Sequence, residues 1–303
     1  MKKILITGAS GFIGRSLTKT LLDKGDFIYG VDVFDEGMKT FLQNSNFKSI
    51  KVSSENFDAL NNLSIESLDI VYHLGWAGQL GGKDLKDFDL QISNVLMTKK
   101  LIDKLLEIGI KKFVFCGSIS HYKMLKDQKE VNADLYGLSK MYASKMAMTL
   151  LEERDIKCNT ALLANTFGIG DYSSKAVNTL IRKFYHNQPI MLVDGDILND
   201  WVYIDDTVNG LIAIGERGTN FKEYYLGHRK IATFKENIMA LKEVMHSQSE
   251  LQFGVYCDRT VADYKKVNLE ELYEDTGFEC QCDIKDSLKK TAKWLIKKDK
   301  GEK

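Results

Sequence analysis

The chain has 303 residues and balances 42 Lys+Arg against 42 Asp+Glu, a formal net charge of zero. That balance argues against a phosphate-driven nucleic-acid binder, which needs a basic face, and against a polybasic membrane-surface protein. With 44% hydrophobic and 28% charged residues the composition is that of an ordered globular chain, and its size predicts one main domain with a smaller lobe.

Short apolar runs alternate with helical patterns through the first two-thirds, as βαβ units around a parallel sheet require. Residues 4–7 read as a short buried strand, 12–24 as a helix ending at Gly25, and 27–32 as a second strand. A weaker strand covers 49–53 and a fourth 69–74, after which a long helix spans 86–108 and stops at Gly109. A fifth strand covers 112–117, a long helix 135–154 and a sixth strand 157–163. The rhythm then changes. Helices are expected over 173–187, 205–216, 234–246 and 283–298, with short strands at 190–193 and 224–226. The pattern predicts six strands of a Rossmann-type, doubly wound parallel α/β sheet, followed by a smaller mixed α/β lobe. Residues 1–164 plus 199–228 are assigned to the sheet domain, and 165–198 plus 229–303 to the lobe.

Five cysteines (Cys116, Cys158, Cys257, Cys280 and Cys282) are sparse and irregularly spaced. They suit a reducing cytoplasm and suggest neither a disulfide framework nor a metal site. The apolar run after Met1-Lys2-Lys3 stops at Thr7-Gly8, too short for a signal-peptide core. No stretch approaches the ~18 apolar residues of a membrane span. The expectation is a cytoplasmic protein without membrane or nucleic-acid partners.

The first strand runs into Thr7-Gly8-Ala9-Ser10-Gly11-Phe12-Ile13-Gly14, a GxxGxxG pattern. Glycines at this spacing let backbone N–H groups approach a pyrophosphate, and the following helix contributes its positive end. The setting between a strand and a helix is what the motif requires, so this segment is the candidate dinucleotide loop. Asp32 ends the second strand, 18 residues past Gly14. A carboxylate there accepts the adenine-ribose hydroxyls and repels a 2′-phosphate, which favours NAD over NADP. Arg15 decides nothing on this point.

Tyr136 and Lys140 lie four apart, on one helical face. A phenol with a pKa of ~10 is a poor base near neutrality. A lysine ammonium one turn away, with the positive nicotinamide ring, favours the phenolate. Ser118 sits at the carboxyl end of the fifth strand, where doubly wound folds bind ligand, with Ser120 as its rival.

With these residues the chain resembles the extended short-chain dehydrogenase/reductases, in particular nucleotide-sugar epimerases, dehydratases and 4-ketoreductases. The resemblance spans nearly the whole length. TGASGFIG at 7–14, GVDVF around Asp32, YHLGWAG at 72–78, Ser118 and YGLSK at 136–140 match family motifs in family order. Asn94 matches an asparagine that orders the active site through the backbone, which completes a candidate catalytic set of Ser118, Tyr136, Lys140 and Asn94. The implied cofactor contacts are Gly8, Ser10, Gly11, Phe12, Ile13, Gly14, Asp32, Leu74, Gly75, Tyr136 and Lys140. Asn165 matches the turn that touches a nucleotide diphosphate, and 199–206 the family's RD(F/Y)(V/I)-x-V-x-D segment. Substrate readout is expected from Trp76 to Gly82, from Asn165 to Tyr172 and around Asn199, with Trp76 stacking on a base or sugar or simply packing.

Three departures bear on the chemistry. Ser118-Ile119-Ser120 replaces the Thr-Asp-Glu of dehydratases, so 4,6-dehydration is not expected. Asn199 stands where many relatives place a diphosphate-binding arginine, with Arg182 and Arg259 as candidate substitutes. Ser53-Ser54 occupies the position of an aspartate that often grips adenine. The resemblance implies NAD-dependent hydride transfer at a ring carbon of a nucleotide sugar, foremost 4-epimerisation. A 4-keto-sugar reductase and a hydroxysteroid or aldehyde reductase are the alternatives. It also implies a homodimer through helices 86–108 and 135–154. The lysine-rich helix near the end reads as a solvated face, and His73 and His121 as structural or solvent-facing.

Overall fold

Ile4, Leu5 and Ile6 divide between the two sides of one strand: the isoleucines join one buried apolar cluster and Leu5 the other. This is the period-two geometry of a strand covered on both faces, and it explains why a parallel sheet reads as an unbroken apolar run. The computed structural model describes residues 1–53, 56–62, 67–78, 83–125, 128–132, 135–256 and 260–302. Its central sheet contains β1 (Lys3–Thr7), β2 (Phe27–Asp32), β3 (Phe47–Lys51), β4 (Ile70–His73), β5 (Lys112–Ser118), β6 (Lys157–Leu163) and β7 (Glu223–Leu226). The spatial order is β7-β6-β5-β4-β1-β2-β3, with every neighbouring pair parallel. The order reverses between β1 and β4, and the crevice at that switch point is where such sheets bind ligands.

The sheet has seven strands where the sequence pattern gave six. The seventh, β7, was legible as a strand but not as a sheet member, because its place beside β6 depends on how the preceding helix returns the chain. β3 lies two residues earlier than expected. Phe47 is buried and pairs with Ile28, and its ring fills the room left by Gly30, where a Cβ would sit 2.7 Å from it.

Helices α1 (Phe12–Asp23), α2 (Phe88–Ile108), α3 (Leu135–Glu152), α4 (Ala176–Tyr185), α5 (Ile204–Arg217), α6 (Phe234–Val244), α7 (Glu271–Thr276) and α8 (Ile284–Asp299) complete the chain. α2 and α3 cover the face that holds Leu5, while α1 and α5 cover the face that holds Ile4 and Ile6. α2 starts later than its periodicity suggests, because Asp87 accepts the Leu90 amide as an N-cap and Lys83–Lys86 forms a separate tight turn. Outside the central sheet, Asn165–Phe167 pairs in parallel with Trp201–Tyr203, and Lys123–Leu125 pairs antiparallel with Thr260–Ala262. Three-residue strands carry too little alternation to be seen in a sequence. Among the described residues no helix is long and apolar enough to cross a membrane.

Candidate active site

A cleft of about 630 Å³ opens at the carboxyl ends of β1, β4, β5 and β6 and reaches into the lobe. Its floor is the loop from β1 into α1. Gly8 has φ +70°, and a Cβ there would lie 2.8 Å from the Gly75 nitrogen; at Gly14 it would lie 2.0 Å from the Gly8 carbonyl oxygen. The bare backbone therefore forms a shallow cradle beside the N-terminus of α1, which is the shape and polarity a pyrophosphate needs. Asp32 accepts the Ser10 amide at 2.9 Å and the Phe34 amide at 3.2 Å, so the carboxylate ending β2 also braces this loop. Arg15 donates to the carbonyls of Ser10 (3.0 Å) and Gly170 (2.9 Å), tying the loop to the lobe.

The second wall is the loop after β4. Asn94 closes a two-bond ring on Ala77, accepting its amide at 2.8 Å and donating to its carbonyl at 2.9 Å. Trp76 donates its indole N–H to Gln91 (3.0 Å), whose own amide donates to the Asp84 carbonyl (2.9 Å). Behind them His73 bridges Thr7 (2.7 Å) and Thr98 (3.1 Å). The Thr98 hydroxyl donates to the Asn94 carbonyl, so His73 Nε2 must donate to Thr98, and Thr7 must donate to Nδ1. Burial, with the Lys140 charge nearby, lowers the His73 pKa to about 3, so the ring stays neutral. His73 and His121 are both buried, neither solvent-facing.

Opposite lies the start of α3. A Cβ on Gly137 would sit 2.0 Å from the Ser120 carbonyl oxygen, so glycine lets the helix press against the turn after β5. That contact brings Tyr136 and Lys140, 8% and 5% exposed, into the wall that also holds Ser118. Lys140 Nζ donates to the Cys116 carbonyl at 2.7 Å and lies 5.6 Å from the Tyr136 ring centroid. Burial moves its pKa below the ordinary lysine value. Ser118 accepts the Ser120 amide at 3.2 Å, and both serines line the cleft. On the lobe side Asn165 donates its side-chain amide to Asn199 at 3.3 Å.

The model of the NAD dependent epimerase/dehydratase family matches residues 4–227. The chain belongs to this family. A UDP-glucuronate 4-epimerase from Thermodesulfobacterium geofontis is 23% identical across 96% of the chain and 95% of its own length. A mouse dTDP-D-glucose 4,6-dehydratase is 23% identical across 98% and 89% respectively. The solved UDP-glucuronic acid 4-epimerase from Bacillus cereus, in complex with UDP-glucuronic acid and NAD, superposes with a TM-score of 0.81. It is 21% identical, and the match covers 97% of this chain and 99% of that one.

Within this epimerase/dehydratase-family chain, the cleft draws together Gly8, Gly11, Phe12, Ile13, Gly14, Leu74, Trp76, Ser118, Tyr136, Lys140, Asn165 and Asn199. Ser10, Asp32, Gly75 and Asn94 stand directly behind that lining, through the contacts above. Arg182 does not take the place of the missing arginine. It forms a two-pronged pair with Asp299 (2.7 and 3.0 Å), joining α4 to α8 away from the cleft. Arg259, Cys257, Ser54 and residues 79–82 lie outside the described residues. Two cations that sequence reasoning missed line the cleft, Lys123 and Lys175, the second on the lobe side at the start of α4. The Lys175 Nζ lies 3.4 Å from Asp171 and 5.6 Å from the Phe12 ring centroid. No motif surrounds it; only the folding of the lobe over α1 brings it there.

Proposed function

We propose that the protein binds NAD and modifies a nucleotide sugar by hydride transfer at a ring carbon, most simply by 4-epimerisation. The observation that carries this reading is the buried Tyr136–Lys140 pair, set with Ser118 on the same cleft as a glycine cradle. The cradle fits a dinucleotide: a Cβ would fill it at Gly8 or Gly14, and Asp32 stands at the end of β2 where an adenine ribose would lie. Its charge opposes a 2′-phosphate, which favours NAD over NADP. When bound, NAD supplies a hydride acceptor that can return what it takes.

Tyr136 is assigned as the base that removes the sugar hydroxyl proton, and as the acid that returns it. Lys140 stabilises the phenolate through its charge and offers donors to the nicotinamide ribose. Ser118 donates to the same sugar oxygen, so that oxygen is held between two hydroxyls of the protein. Asn94 acts one step back, by fixing the Ala77 backbone. Lys175 and the first turn of α4 are assigned to the sugar nucleotide's diphosphate, with Asn165 and Asn199 beside it. Ile119 and Ser120 leave no carboxylic acid in the turn after Ser118, which speaks against 4,6-dehydration.

Residues 1–164 plus 199–228 are assigned to cofactor binding and the remainder to substrate binding. Phe88, Ile92 and Leu96 form an exposed stripe along α2, and Leu138 and Tyr142 are exposed on α3, which packs against it. These faces support a homodimer through the two helices.

The test is incubation with NAD and UDP-glucuronic acid or UDP-glucose, followed by proton NMR at C4. Appearance of the C4 epimer without net NAD reduction is the expected result, and Tyr136→Phe should abolish it while still binding NAD. Stoichiometric NADH consumption on a 4-keto sugar, without epimer, would replace epimerase by reductase. Full turnover in Tyr136→Phe would overturn the assigned base.

A further inference from the structure

Lys140 is a buried cation with one hydrogen-bonded oxygen partner, the Cys116 carbonyl, and among the described residues no carboxylate forms an ion pair with it. An ammonium has three N–H groups, and removing it from water without replacing that hydration favours the neutral amine. The face of Trp76 lies across from it, with the ring centroid 4.9 Å from Nζ. That is within the roughly 6 Å over which an aromatic face attracts a cation, and indole is the strongest of the aromatic side chains in this respect. Phe115 and Tyr136 add rings at 5.7 and 5.6 Å.

The indole is fixed in this pose. Its N–H is bound to Gln91, which is 1% exposed, and Asn94 clamps the backbone of the next residue. Its edge contacts with Phe115 (6.2 Å, 83°) and Tyr136 (6.4 Å, 88°) set the remaining tilt. A buried indole N–H needs a partner in any case; here that partner is itself held by the Asp84 carbonyl, so the bond also fixes the orientation of the ring.

We propose that Trp76 is a positioning residue for Lys140, its indole face replacing lost hydration so that the ammonium stays charged beside Tyr136. The proposal rests on the reading of Tyr136 and Lys140 as the reacting pair. Of the other titratable groups around Lys140, only Cys116 favours its charge, and it does so as the thiolate, which burial disfavours. His73 on β4 is neutral, the Cys116 thiol on β5 is pushed up by burial, and burial lowers the pKa of His121 in the turn after β5. Tyr136 on α3 is the group whose proton Lys140 is there to influence.

Two measurements test this, and the first needs no substrate. The chain has three tryptophans, Trp76, Trp201 and Trp294. The change in tryptophan emission caused by Lys140→Met is recorded across pH 6–11 in the native protein and again in Trp76→Phe. The expected result is a pH-dependent Lys140→Met difference in the native protein that disappears in Trp76→Phe. The same difference in both backgrounds, or none in either, overturns the contact.

The second measurement is the pH profile of kcat with a nucleotide-sugar substrate. Trp76→Phe, which keeps an aromatic face, should retain the native alkaline limb. Trp76→Leu should move that limb down by about one pH unit, a tenfold change in the Lys140 proton equilibrium, with KM unchanged. An unmoved or raised limb in Trp76→Leu, or a rise in KM alone, makes Trp76 a packing or sugar contact and overturns the proposal. If no nucleotide sugar turns over while the emission coupling persists, the enzymatic reading fails and the Trp76–Lys140 coupling stands.

Discussion

Asp32 accepts the Ser10 amide at 2.9 Å, so one carboxylate both ends β2 and holds the loop proposed to cradle the cofactor. Asp32→Asn separates the two roles. Asparagine can still accept the Ser10 amide through its one side-chain oxygen, giving up the longer bond from the exposed Phe34 amide, but it lacks the charge that grips ribose hydroxyls and repels a 2′-phosphate. The melting temperature should change little. NAD affinity measured by titration calorimetry should fall about tenfold, or about 1.4 kcal/mol, and NADP should lose less. Equal losses for both cofactors would mean that Asp32 only braces the loop.

Gly14 has no room for a methyl group, since its Cβ would sit 2.0 Å from a backbone oxygen that cannot swing aside. Gly14→Ala should therefore cost about 1–3 kcal/mol in stability through forced displacement of the loop. NAD should no longer raise the melting temperature. A Gly11→Ala control, with its nearest oxygen at 3.2 Å, should be milder on both counts. Thermal shift with and without NAD reads both effects.

Much of this arrangement was legible in the chain because its signals are local. β2 and β6 were readable end to end, β2 as an apolar run closed by Asp32 and β6 as a strand that finishes in Ala161-Leu162-Leu163. The glycine loop and the Tyr136–Lys140 spacing each lie within one turn of structure. What was not legible depends on distant segments meeting. Trp76 and Lys140 are 64 residues apart, and no pattern in either neighbourhood announces that one ring faces the other's ammonium. Lys175 reaches the cleft only because the lobe closes over α1, and Arg182 was a plausible cation until α8 supplied Asp299. The paired strands at Asn165 and Trp201 are too short for periodicity to register.

His228 carries a pH dependence of stability. Its Nδ1 lies 2.6 Å from the buried Asp200 carboxylate, and that hydrogen bond, working against partial burial, raises its pKa above the ordinary histidine value. The folded state then holds the proton more tightly than the unfolded chain does. The stabilisation is fully present below ~6.5, the unfolded value, and fades as pH rises through the folded value. His228→Gln should lose about 1–2 kcal/mol near pH 5.5 and progressively less above pH 7.5. Urea melts of both proteins across that range measure the difference. A gap that stays constant with pH would assign the loss to packing.

The exposed stripe of α2 gives the last prediction. Leu96 is 57% exposed and Ile92 39%, one turn apart on a helix whose other face is buried against the sheet and α3. Apolar residues at this spacing on a solvent face favour burial against a second copy. Leu96→Glu places a charge in the middle of that surface and leaves the core untouched, so the monomer should stay folded by circular dichroism. Light scattering coupled to size exclusion should then show the mass falling from twice 34.4 kDa to 34.4 kDa. A native protein already monomeric at micromolar concentration would sink the dimer. A Leu96→Glu protein that remains a dimer would move its interface off α2.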